Sequence, residues 1–388
     1  MRKLRILLTG GGTGGHIYPI AAVAQQLRVW VEKNGIEPDL RYFGDPGEYR
    51  AVIEKAKIRI VKIAASKMRR YFSFLNFLDF FKFLFGFCQA LFKIYFFMPD
   101  AAFSKGGPGS LAVVFACRLY QIPLVVHESD AVPGLTNKIS ARRARIVDLA
   151  FLSAAQYLSS GGGSAFGGKT KAKVNVVGNP VREELEAEIP VGQAKSSFGF
   201  NPQRPLILFL GGSQGSSRIN DFVIENLESL LNKYQILHQT GKDKFQEYKM
   251  QYDFITENFP PPIIANYKFF DYLDQNFNEA LSSADLVVSR AGAGAIFEIA
   301  SKGKPAILIP FPDAAADHQK ENAYRYAEGG GAVVIEEENL LPSIFLSQAE
   351  KILNNPDVKE KMIAGAKDFY QPGAAGRIAS HILELWQS

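Results

Sequence analysis

Short, continuous apolar runs alternate along the chain with longer segments of helical periodicity. The apolar runs predict strands at 5–9, 39–43, 58–63, 100–104, 122–127, 173–177, 206–210, 234–240, 263–269, 285–288, 305–309 and 332–335. The periodic segments predict helices at 16–33, 46–56, 109–120, 218–232, 275–283, 293–301, 318–329 and 374–387. Strands separated by helices are typical of parallel sheets covered on both faces, so we expect an α/β fold with doubly wound parallel sheets.

One local pattern occurs twice. The strand at 5–9 leads into GGGTGG at 10–15, and the strand at 206–210 leads into GGSQGS at 211–216. Glycines let the backbone approach a ligand, and the following helix N-terminus attracts phosphate. We therefore expect two Rossmann-like domains facing a central cleft, which suits group transfer. Their expected bounds are 1–178 and 179–373, with a hinge near 179–182 and a final helix, 374–388, that packs back toward the first domain.

Composition narrows the class of protein. The 388 residues are 47% hydrophobic and 21% charged, as in a folded globular protein. With 44 basic and 39 acidic residues, the net charge of +5 gives no reason to expect nucleic-acid binding. Cys88 and Cys117 have no metal or redox spacing. The N-terminus lacks the apolar length of a signal peptide, so we expect a cytoplasmic protein.

The segment 71–97 has the most unusual composition, because it holds 11 of the 30 phenylalanines. Its longest uncharged run, 83–92, is shorter than the ~20 residues that span a bilayer. On a helical wheel its polar residues form a narrow stripe, which leaves a broad apolar face. We expect this face, with basic residues just before it, to dock at a membrane interface; the alternative is a fully buried helix. The predicted patch comprises Arg69, Arg70, Phe72, Phe74, Phe77 and Phe81.

Several polar residues follow the predicted strands and loops. His16 follows the first glycine loop, where a histidine can act as a general base near neutral pH. Residues 10–15 formally match a dinucleotide-binding pattern, but the nearest acidic residue after the next strand, Asp45, is too distant for the usual ribose contact. Glu298, on a predicted helix, can hold a ribose, and the amide of Gln319 can reach sugar hydroxyls. Each signal alone is weak.

Taken in order, these motifs resemble the MurG family of bacterial peptidoglycan N-acetylglucosaminyltransferases, within glycosyltransferase family 28. The matching segments are 10–16, 105–107, 127–128, 134–138, 178–182, 211–215, 238–239 with 241–242, 289–293, 298–300, and 319 with 322–323. The resemblance implies a GT-B fold, a UDP-GlcNAc donor and a lipid I acceptor (undecaprenyl-diphospho-MurNAc-pentapeptide). It also implies inverting transfer of GlcNAc to the C4 hydroxyl of MurNAc, which gives lipid II, without a metal or other cofactor.

The same resemblance implies roles for individual residues. The catalytic candidates are His16, as the base, and Glu128, as its nearest rival. The implied donor contacts are Thr13, Gly14, Gly15, Asp130, Arg182, Ser213, Gln214, the backbone of Phe270, Arg290, Ala293, Glu298 and Gln319. The implied acceptor contacts are Gly12, Lys105, His127 and Asn137, and Thr13, Gly14 and Gly15 would also face the lipid diphosphate. The 71–97 segment would bind the cytoplasmic face of the plasma membrane and its anionic lipids, and cell-wall synthesis proteins are possible partners.

Three positions depart from the family pattern. Asp130 stands where the family usually has asparagine, Pro108 where it has tyrosine, and Ala291 where it has serine. Asp130 matters most, because a carboxylate beside a diphosphate repels it unless Arg or Lys compensates. Three alternatives stay open: a related GT-B enzyme that makes a membrane glycolipid, a non-catalytic UDP-sugar-binding protein, and an NAD-dependent dehydrogenase.

Overall fold

The computed structural model describes residues 3–64, 75–159, 170–212, 214–312, 314 and 317–387. The chain forms two compact units, Met1–Arg182 with Gln371–Ser388, and Glu183–Tyr370. Both contain a parallel sheet packed against helices, with core clusters on both faces of the first sheet and a large cluster against the second, so the predicted α/β class with two doubly wound parallel sheets is confirmed.

In the first unit, the described residues form a seven-stranded sheet in the order β3-β2-β1-β4-β5-β6-β7. Its strands are β1 (Lys3–Thr9), β2 (Glu37–Phe43), β3 (Arg59–Val61), β4 (Ala101–Ser104), β5 (Leu124–Glu128), β6 (Ile146–Leu149) and β7 (Lys173–Val176). Six of its helices precede the second unit in the chain: α1 (Gly14–Lys33), α2 (Arg50–Lys55), α3 (Leu75–Phe97), α4 (Ser110–Leu119), α5 (Leu135–Ala141) and α6 (Ala155–Ser159), as far as the described residues show. Along β1, Leu4, Ile6 and Leu8 join the core on one face of the sheet and Leu7 joins the core on the other, as strand alternation requires.

In the second unit, the described residues form a six-stranded sheet in the order β10-β9-β8-β11-β12-β13. Its strands are β8 (Leu206–Leu210), β9 (Gln235–Gln239), β10 (Tyr267–Phe270), β11 (Leu286–Ser289), β12 (Ala306–Leu308) and β13 (Ala332–Val334). Its helices are α7 (Val191–Ser197), α8 (Ser217–Glu225), α9 (Leu227–Lys233), α10 (Phe245–Ile255), α11 (Pro261–Ile264), α12 (Phe277–Ser283), α13 (Ala293–Ser301), α14 (His318–Glu328), α15 (Pro342–Leu353) and α16 (Pro356–Phe369).

The last helix, α17 (Ala374–Gln387), belongs to the first unit. Ile378, Ile382 and Leu383 are buried in the same core cluster as the apolar face of α1. Polar contacts hold the helix as well: Arg377 donates to the Val177 carbonyl over 2.7 Å, and Nδ1 of His381 lies 2.9 Å from a carboxylate oxygen of the buried Asp148.

Several elements differ from the sequence prediction. The predicted helix 218–232 is two helices, because Asn226 leaves helical geometry and its side chain bonds the Phe222 carbonyl. The predicted strand 263–269 begins only at Tyr267, since the prolines at 261 and 262 open the short helix α11. The sequence prediction missed the elements α5, β6, α6, α7, α10, α15 and α16.

Helix α3 keeps a broad aromatic face outside the core. Its buried side chains include Ala90, Ile94 and Phe97, which pack between the sheet and α4. The exposed ones are Phe80, Phe81, Leu84, Phe85, Phe92, Tyr95 and Phe96, each between 46% and 71% exposed. The alternative of a fully buried helix is therefore wrong. By length and composition alone, the stretch Asp79–Phe97 is long and apolar enough to cross a membrane, and 22% of it is buried in the fold.

Candidate active site

The loop at residues 10–13 connects β1 to α1 and sets the position of His16. Thr13 precedes the helix in extended geometry, and its carbonyl accepts from the backbone N–H of His16 over 3.0 Å. Its Oγ1 lies 2.7 Å from Nδ1 of the His16 ring. His16 is thus held at the start of a 20-residue helix, where the partial positive charge disfavours an imidazolium.

A second loop, residues 105–107 after β4, lies against the first one. Lys105 donates its backbone N–H to the Thr9 carbonyl over 2.9 Å. A β-carbon placed on Gly10 would lie 3.4 Å from Cβ of Lys105 and 3.5 Å from Cβ of His16, so both side chains start beside the same glycine. Gly106 has φ +81°, and a β-carbon there would lie only 2.2 Å from Oδ1 of Asn137. Only glycine fits this position, and its lack of a β-carbon lets the Asn137 side chain pack directly on the loop.

Glu128 ends β5 and is tied to the segment that follows it. Its Oε1 accepts from the Asp130 backbone N–H over 2.9 Å. Its Oε2 accepts from the Gly134 N–H over 3.1 Å and from Nδ2 of Asn137 over 3.0 Å. Both carboxylate oxygens are therefore engaged, and the side chain is buried. Glu128 fixes the path of the chain from β5 into α5.

Lys105 is only 1% exposed and interacts electrostatically with the carboxylates of Glu128 and Asp130. Its Nζ has no hydrogen-bond partner among the described residues. Burial lowers the pKa of Lys105 to about 8, although the carboxylates of Glu128 and Asp130 act to raise it. Burial, followed by the repulsion of Asp130, raises the pKa of Glu128, while its hydrogen bonds and Lys105 oppose the shift.

The histidines around Lys105 are neutral near pH 7. Burial, with a smaller contribution from Lys105, lowers the pKa of His16 to about 3. The surface of the His16 residue is still partly exposed, so solvent and substrate can reach it. Burial also lowers the pKa of His127, which is fully enclosed. Its Nε2 lies 2.9 Å from the Gly178 carbonyl, and this bond to an acceptor identifies Nε2 as the protonated nitrogen.

The structure places the remaining predicted residues of the first unit as follows. Gly12 on the loop and Gly15 in the first turn of α1 are exposed, and Gly14 packs on the Tyr49 ring. Arg182, at the end of the unit, is 9% exposed, and its guanidinium lies 4.1 Å from the centre of the Tyr18 ring. His127 is held in the interior instead of facing solvent.

In the second unit, the glycine loop after β8 packs on the loop after β9. Gly215 has φ +75°, and a β-carbon there would lie 2.0 Å from the Thr240 carbonyl oxygen. Gln239 joins the two loops and a third segment, because it donates to the Gly212 carbonyl over 3.0 Å and accepts from the Leu273 N–H over 3.0 Å. Ser216 caps α8 by accepting from the Ile219 N–H over 3.4 Å. Ser213 lies outside the described residues, and Gln214 is exposed.

The other predicted donor residues lie near the carboxyl ends of strands in this sheet. The Phe270 carbonyl accepts from the Thr240 N–H over 3.0 Å and from its hydroxyl over 3.3 Å, so the backbone of Phe270 is held against the loop after β9. Oε1 of Gln319 accepts from the Phe311 N–H over 3.1 Å. Ala293 is the first residue of α13, and Glu298 is half-buried on the same helix.

The side chain of Arg290 is engaged by contacts within the second unit. Its guanidinium donates to the Ile309 carbonyl over 3.2 Å and forms an ion pair with Glu337. It also lies 5.4 Å from the centre of the Phe311 ring. These contacts indicate that Arg290 orders the segment after β12, which leads to Gln319.

Sequence reasoning missed a basic cluster beside α3. Arg143 stacks on the Phe115 ring at 4.2 Å, and Phe115 contacts Phe83 of α3 with ring centres 6.1 Å apart. Burial, and then the nearby charges of Arg142 and Arg118, lower the pKa of Arg143. The signal was present in the sequence as three arginines on α4 and after α5, but only the fold brings them together. Of the predicted patch, Arg69, Arg70, Phe72 and Phe74 and the side chain of Phe77 lie outside the described residues, whereas Phe81 is 51% exposed.

Two parallel-sheet units, each with a glycine-rich loop between an inner strand and the next helix, are typical of the GT-B fold of glycosyltransferases. The chain belongs to glycosyltransferase family 28: the family's N-terminal domain matches residues 6–147 and its C-terminal domain matches residues 206–377.

Similar proteins cover almost the whole chain. A UDP-N-acetylglucosamine--N-acetylmuramyl-(pentapeptide) pyrophosphoryl-undecaprenol N-acetylglucosamine transferase of Clostridium botulinum (strain Langeland) is 34% identical over 372 residues, covering 94% of this chain and 97% of its own. A protein of the same name, numbered 2, from Bacillus cereus (strain ATCC 10987) is also 34% identical, covering 98% and 99%. The crystal structure of Acinetobacter baumannii MurG is 25% identical, with a TM-score of 0.71 over 99% of this chain and 100% of that one.

Proposed function

We propose that this protein transfers GlcNAc from UDP-GlcNAc to the C4 hydroxyl of the MurNAc of lipid I, and so makes lipid II for peptidoglycan. The observation that carries the proposal is the similarity, over nearly the full length, to transferases whose names specify this donor and acceptor. The buried cluster of Lys105, Glu128 and Asn137 beside His16 supports it, because it supplies polar groups at the end of the first sheet where an acceptor can be oriented.

In the proposed reaction, the C4 oxygen forms a bond to C1 of GlcNAc while the bond from C1 to the UDP oxygen breaks. The anomeric centre inverts, the hydroxyl proton passes to a base, and UDP leaves with the bonding electrons. His16 is the better candidate for this base. Its ring is neutral, the residue is partly exposed, and if Nδ1 donates to Thr13, the lone pair lies on Nε2. The negative diphosphates of the substrates would raise its pKa from the low value of the free protein.

Glu128 is better suited to positioning. Both of its oxygens accept hydrogen bonds from groups that cannot take a proton in return. A proton on Glu128 would therefore weaken contacts that hold the β5–α5 segment, because these hydrogen bonds are strongest to an ionised carboxylate. We assign Glu128 and Asn137 to the support of the acceptor site and Gly12 to its wall, with the buried Lys105 and His127 behind that wall.

For the donor, we propose that the loop at 211–216 and the N-terminus of α8 bind the diphosphate, with Ser213 and Gln214 as side-chain donors. The helix dipole there would stabilise the charge that develops on UDP. Glu298 would hold the ribose, Gln319 the sugar and Phe270 the uracil edge. Arg182, Thr13, Gly14, Gly15, Asp130 and Ala293 complete the proposed donor contacts, and Arg290 contributes through the segment it orders.

We also propose that the aromatic face of α3 binds the cytoplasmic face of the plasma membrane, where lipid I is embedded. Exposed aromatic side chains insert into the interface, and the cluster of Arg118, Arg142 and Arg143 attracts anionic headgroups. Both features belong to the same unit as His16 and Glu128.

The test is an assay of purified protein with labelled UDP-GlcNAc and a short-chain lipid I analogue. We expect label to enter the lipid in amounts that match the released UDP. Transfer to diacylglycerol instead would support the glycolipid alternative, and UDP binding without transfer would support a binding protein. A thermal shift with NAD but not with UDP-GlcNAc would identify a dehydrogenase.

A further inference from the structure

A chain of buried polar groups packs against the glycine loop of the second unit. It runs from β10 through β9 and α8 to the loop after β9, and its members are Tyr267, His238, Asn220 and the carbonyl of Thr240. Tyr267 is 3% exposed and the other three are fully buried. Buried polar groups cost free energy unless they are hydrogen-bonded, and here each group of the chain has a partner in the next.

The partners fix the direction of every bond in this chain. The Thr240 carbonyl can only accept, so Nδ2 of Asn220 donates to it over 2.9 Å. Oδ1 of Asn220 therefore faces His238, and Nε2 of His238 carries the proton that it donates over 3.0 Å. Burial lowers the pKa of His238 to about 3, so the ring is neutral near pH 7. Its Nδ1 then accepts from the Tyr267 hydroxyl over 2.9 Å.

The last bond of the chain ends against Gly215. A β-carbon on Gly215 would lie 2.0 Å from the Thr240 carbonyl oxygen, and one on Gly241 would lie 2.5 Å from the Gly215 nitrogen. The backbones of the two loops are therefore in direct contact, and a shift of the Thr240 carbonyl moves the glycine loop with it. Gln239 donates to the Gly212 carbonyl, so the end of β9 contacts the glycine loop at a second place.

We propose that His238 is a positioning residue for the binding of a nucleoside diphosphate. By fixing which way the Asn220 amide faces, it holds the Thr240 carbonyl, and with it the glycine loop, in the conformation that receives the diphosphate. Groups that bind a ligand must be held within about 0.5 Å of the productive geometry, which buried and fully paired supports provide. Tyr267 supports the ring by satisfying Nδ1. The inference rests on the proposed donor site, and it concerns the affinity for UDP and not the transfer step.

The experiment measures UDP binding by calorimetry for three variants. His238→Phe keeps an aromatic ring but neither hydrogen bond, and we expect it to weaken UDP binding by about tenfold or more. His238→Gln places an amide nitrogen near the position of Nε2 and keeps a donor for Asn220, so its affinity should stay within about threefold of the wild type. Tyr267→Phe leaves Nδ1 of the buried ring without a donor and should weaken binding by about three- to tenfold.

Tyr326→Phe is the matched control. Tyr326 is a buried tyrosine of the same unit, and its hydroxyl has no hydrogen-bond partner among the described residues, so this variant should bind UDP normally. Thermal unfolding midpoints measure stability separately from binding. Steady-state kinetics of His238→Phe and Tyr267→Phe should show a raised KM for UDP-GlcNAc and an unchanged KM for the lipid I analogue.

A purely structural role predicts a different result, in which the histidine variants lower the unfolding midpoint while the folded protein binds UDP normally. That result would overturn the inference, and so would equal losses of UDP binding in His238→Phe and His238→Gln. If His238→Phe does not fold, the comparison of Tyr267→Phe with Tyr326→Phe decides. A wild-type protein that binds no UDP would overturn the proposed donor site itself, whereas normal binding by every variant overturns only the role of His238.

Discussion

His16 and Glu128 differ in what each can do with a proton, and substitution separates them. We expect His16→Ala to lower kcat by about 10²- to 10⁴-fold, the usual range for loss of a general base, with little change in UDP-GlcNAc binding. Glu128→Gln keeps the shape but loses an acceptor, so we expect it to raise KM for the acceptor as well as to lower kcat. Steady-state kinetics measure kcat and KM for each variant, and calorimetry measures its binding of UDP. A His16→Ala enzyme with near-normal kcat would remove His16 from the role of base.

A second prediction at the residue scale concerns Gly106. Alanine there meets two penalties, a left-handed backbone and an overlap with Oδ1 of Asn137. We expect Gly106→Ala to destabilise the first unit by about 1–3 kcal/mol and to lower activity, because Asn137 must leave Glu128. Gly192→Ala is the matched control: it lies in α7, and its β-carbon would meet only Pro202 at an ordinary 3.6 Å. Urea unfolding that gives equal stability for both variants would contradict this account.

The sequence identified residue types at this site better than their contacts. His16 was a candidate because it follows the first glycine loop, and the family resemblance implied Lys105, Glu128 and Asn137. What the sequence could not supply was the meeting of β1, β4 and β5, which makes Lys105 the common neighbour of the other charges. The bonds from Asp130 and Gly134 to Glu128 depend on backbone geometry, and the contacts that occupy Arg290 involve residues distant in the chain.

At the scale of elements, the strongly periodic segments were predicted well and the short polar helices were not. β1, β8 and α1 carry continuous apolar or amphipathic patterns that local sequence determines. Helices such as α10 and α16 bury few side chains, so their pattern was weak against the surrounding polar residues. Helix α3 is a third case: its apolar composition was clear, but which side of it remains exposed depends on packing against α4 and the sheet.

The exposed face of α3 carries the third prediction. We expect the triple change of Phe92, Tyr95 and Phe96 to serine to weaken binding to anionic vesicles by at least about tenfold, because three exposed aromatic side chains no longer insert. Arg118→Glu with Arg142→Glu should weaken binding to anionic vesicles but not to neutral ones. The measurement is co-sedimentation with vesicles of phosphatidylglycerol and phosphatidylcholine.

The controls are exposed residues of the second unit. Phe254 is 80% exposed on α10, so Phe254→Ser removes an aromatic side chain without touching α3. Lys361→Glu on α16 reverses an exposed charge. If these variants lose vesicle binding as strongly as the α3 and arginine variants do, the membrane contact does not belong to α3.

At the scale of the whole molecule, the first unit is discontinuous in sequence, because its last helix arrives after the second unit is complete. Ile378, Ile382 and Leu383 of α17 are buried in the same core as α1, and each contributes about 1.5–3 kcal/mol. Their sum is a large part of the ~5–15 kcal/mol that stabilises a typical domain. We therefore expect a chain ending at residue 370 to leave the first unit largely unfolded, while the second unit still folds and binds UDP. Limited proteolysis measures the stability of the first unit, and calorimetric UDP titration measures the folding of the second. Leu383→Ala should increase the protease sensitivity of the first unit to an intermediate degree. Ser380→Ala, at an exposed position of α17, should leave it unchanged. A truncated chain whose first unit still resists protease would show that the core of α1 and β1 is sufficient without α17.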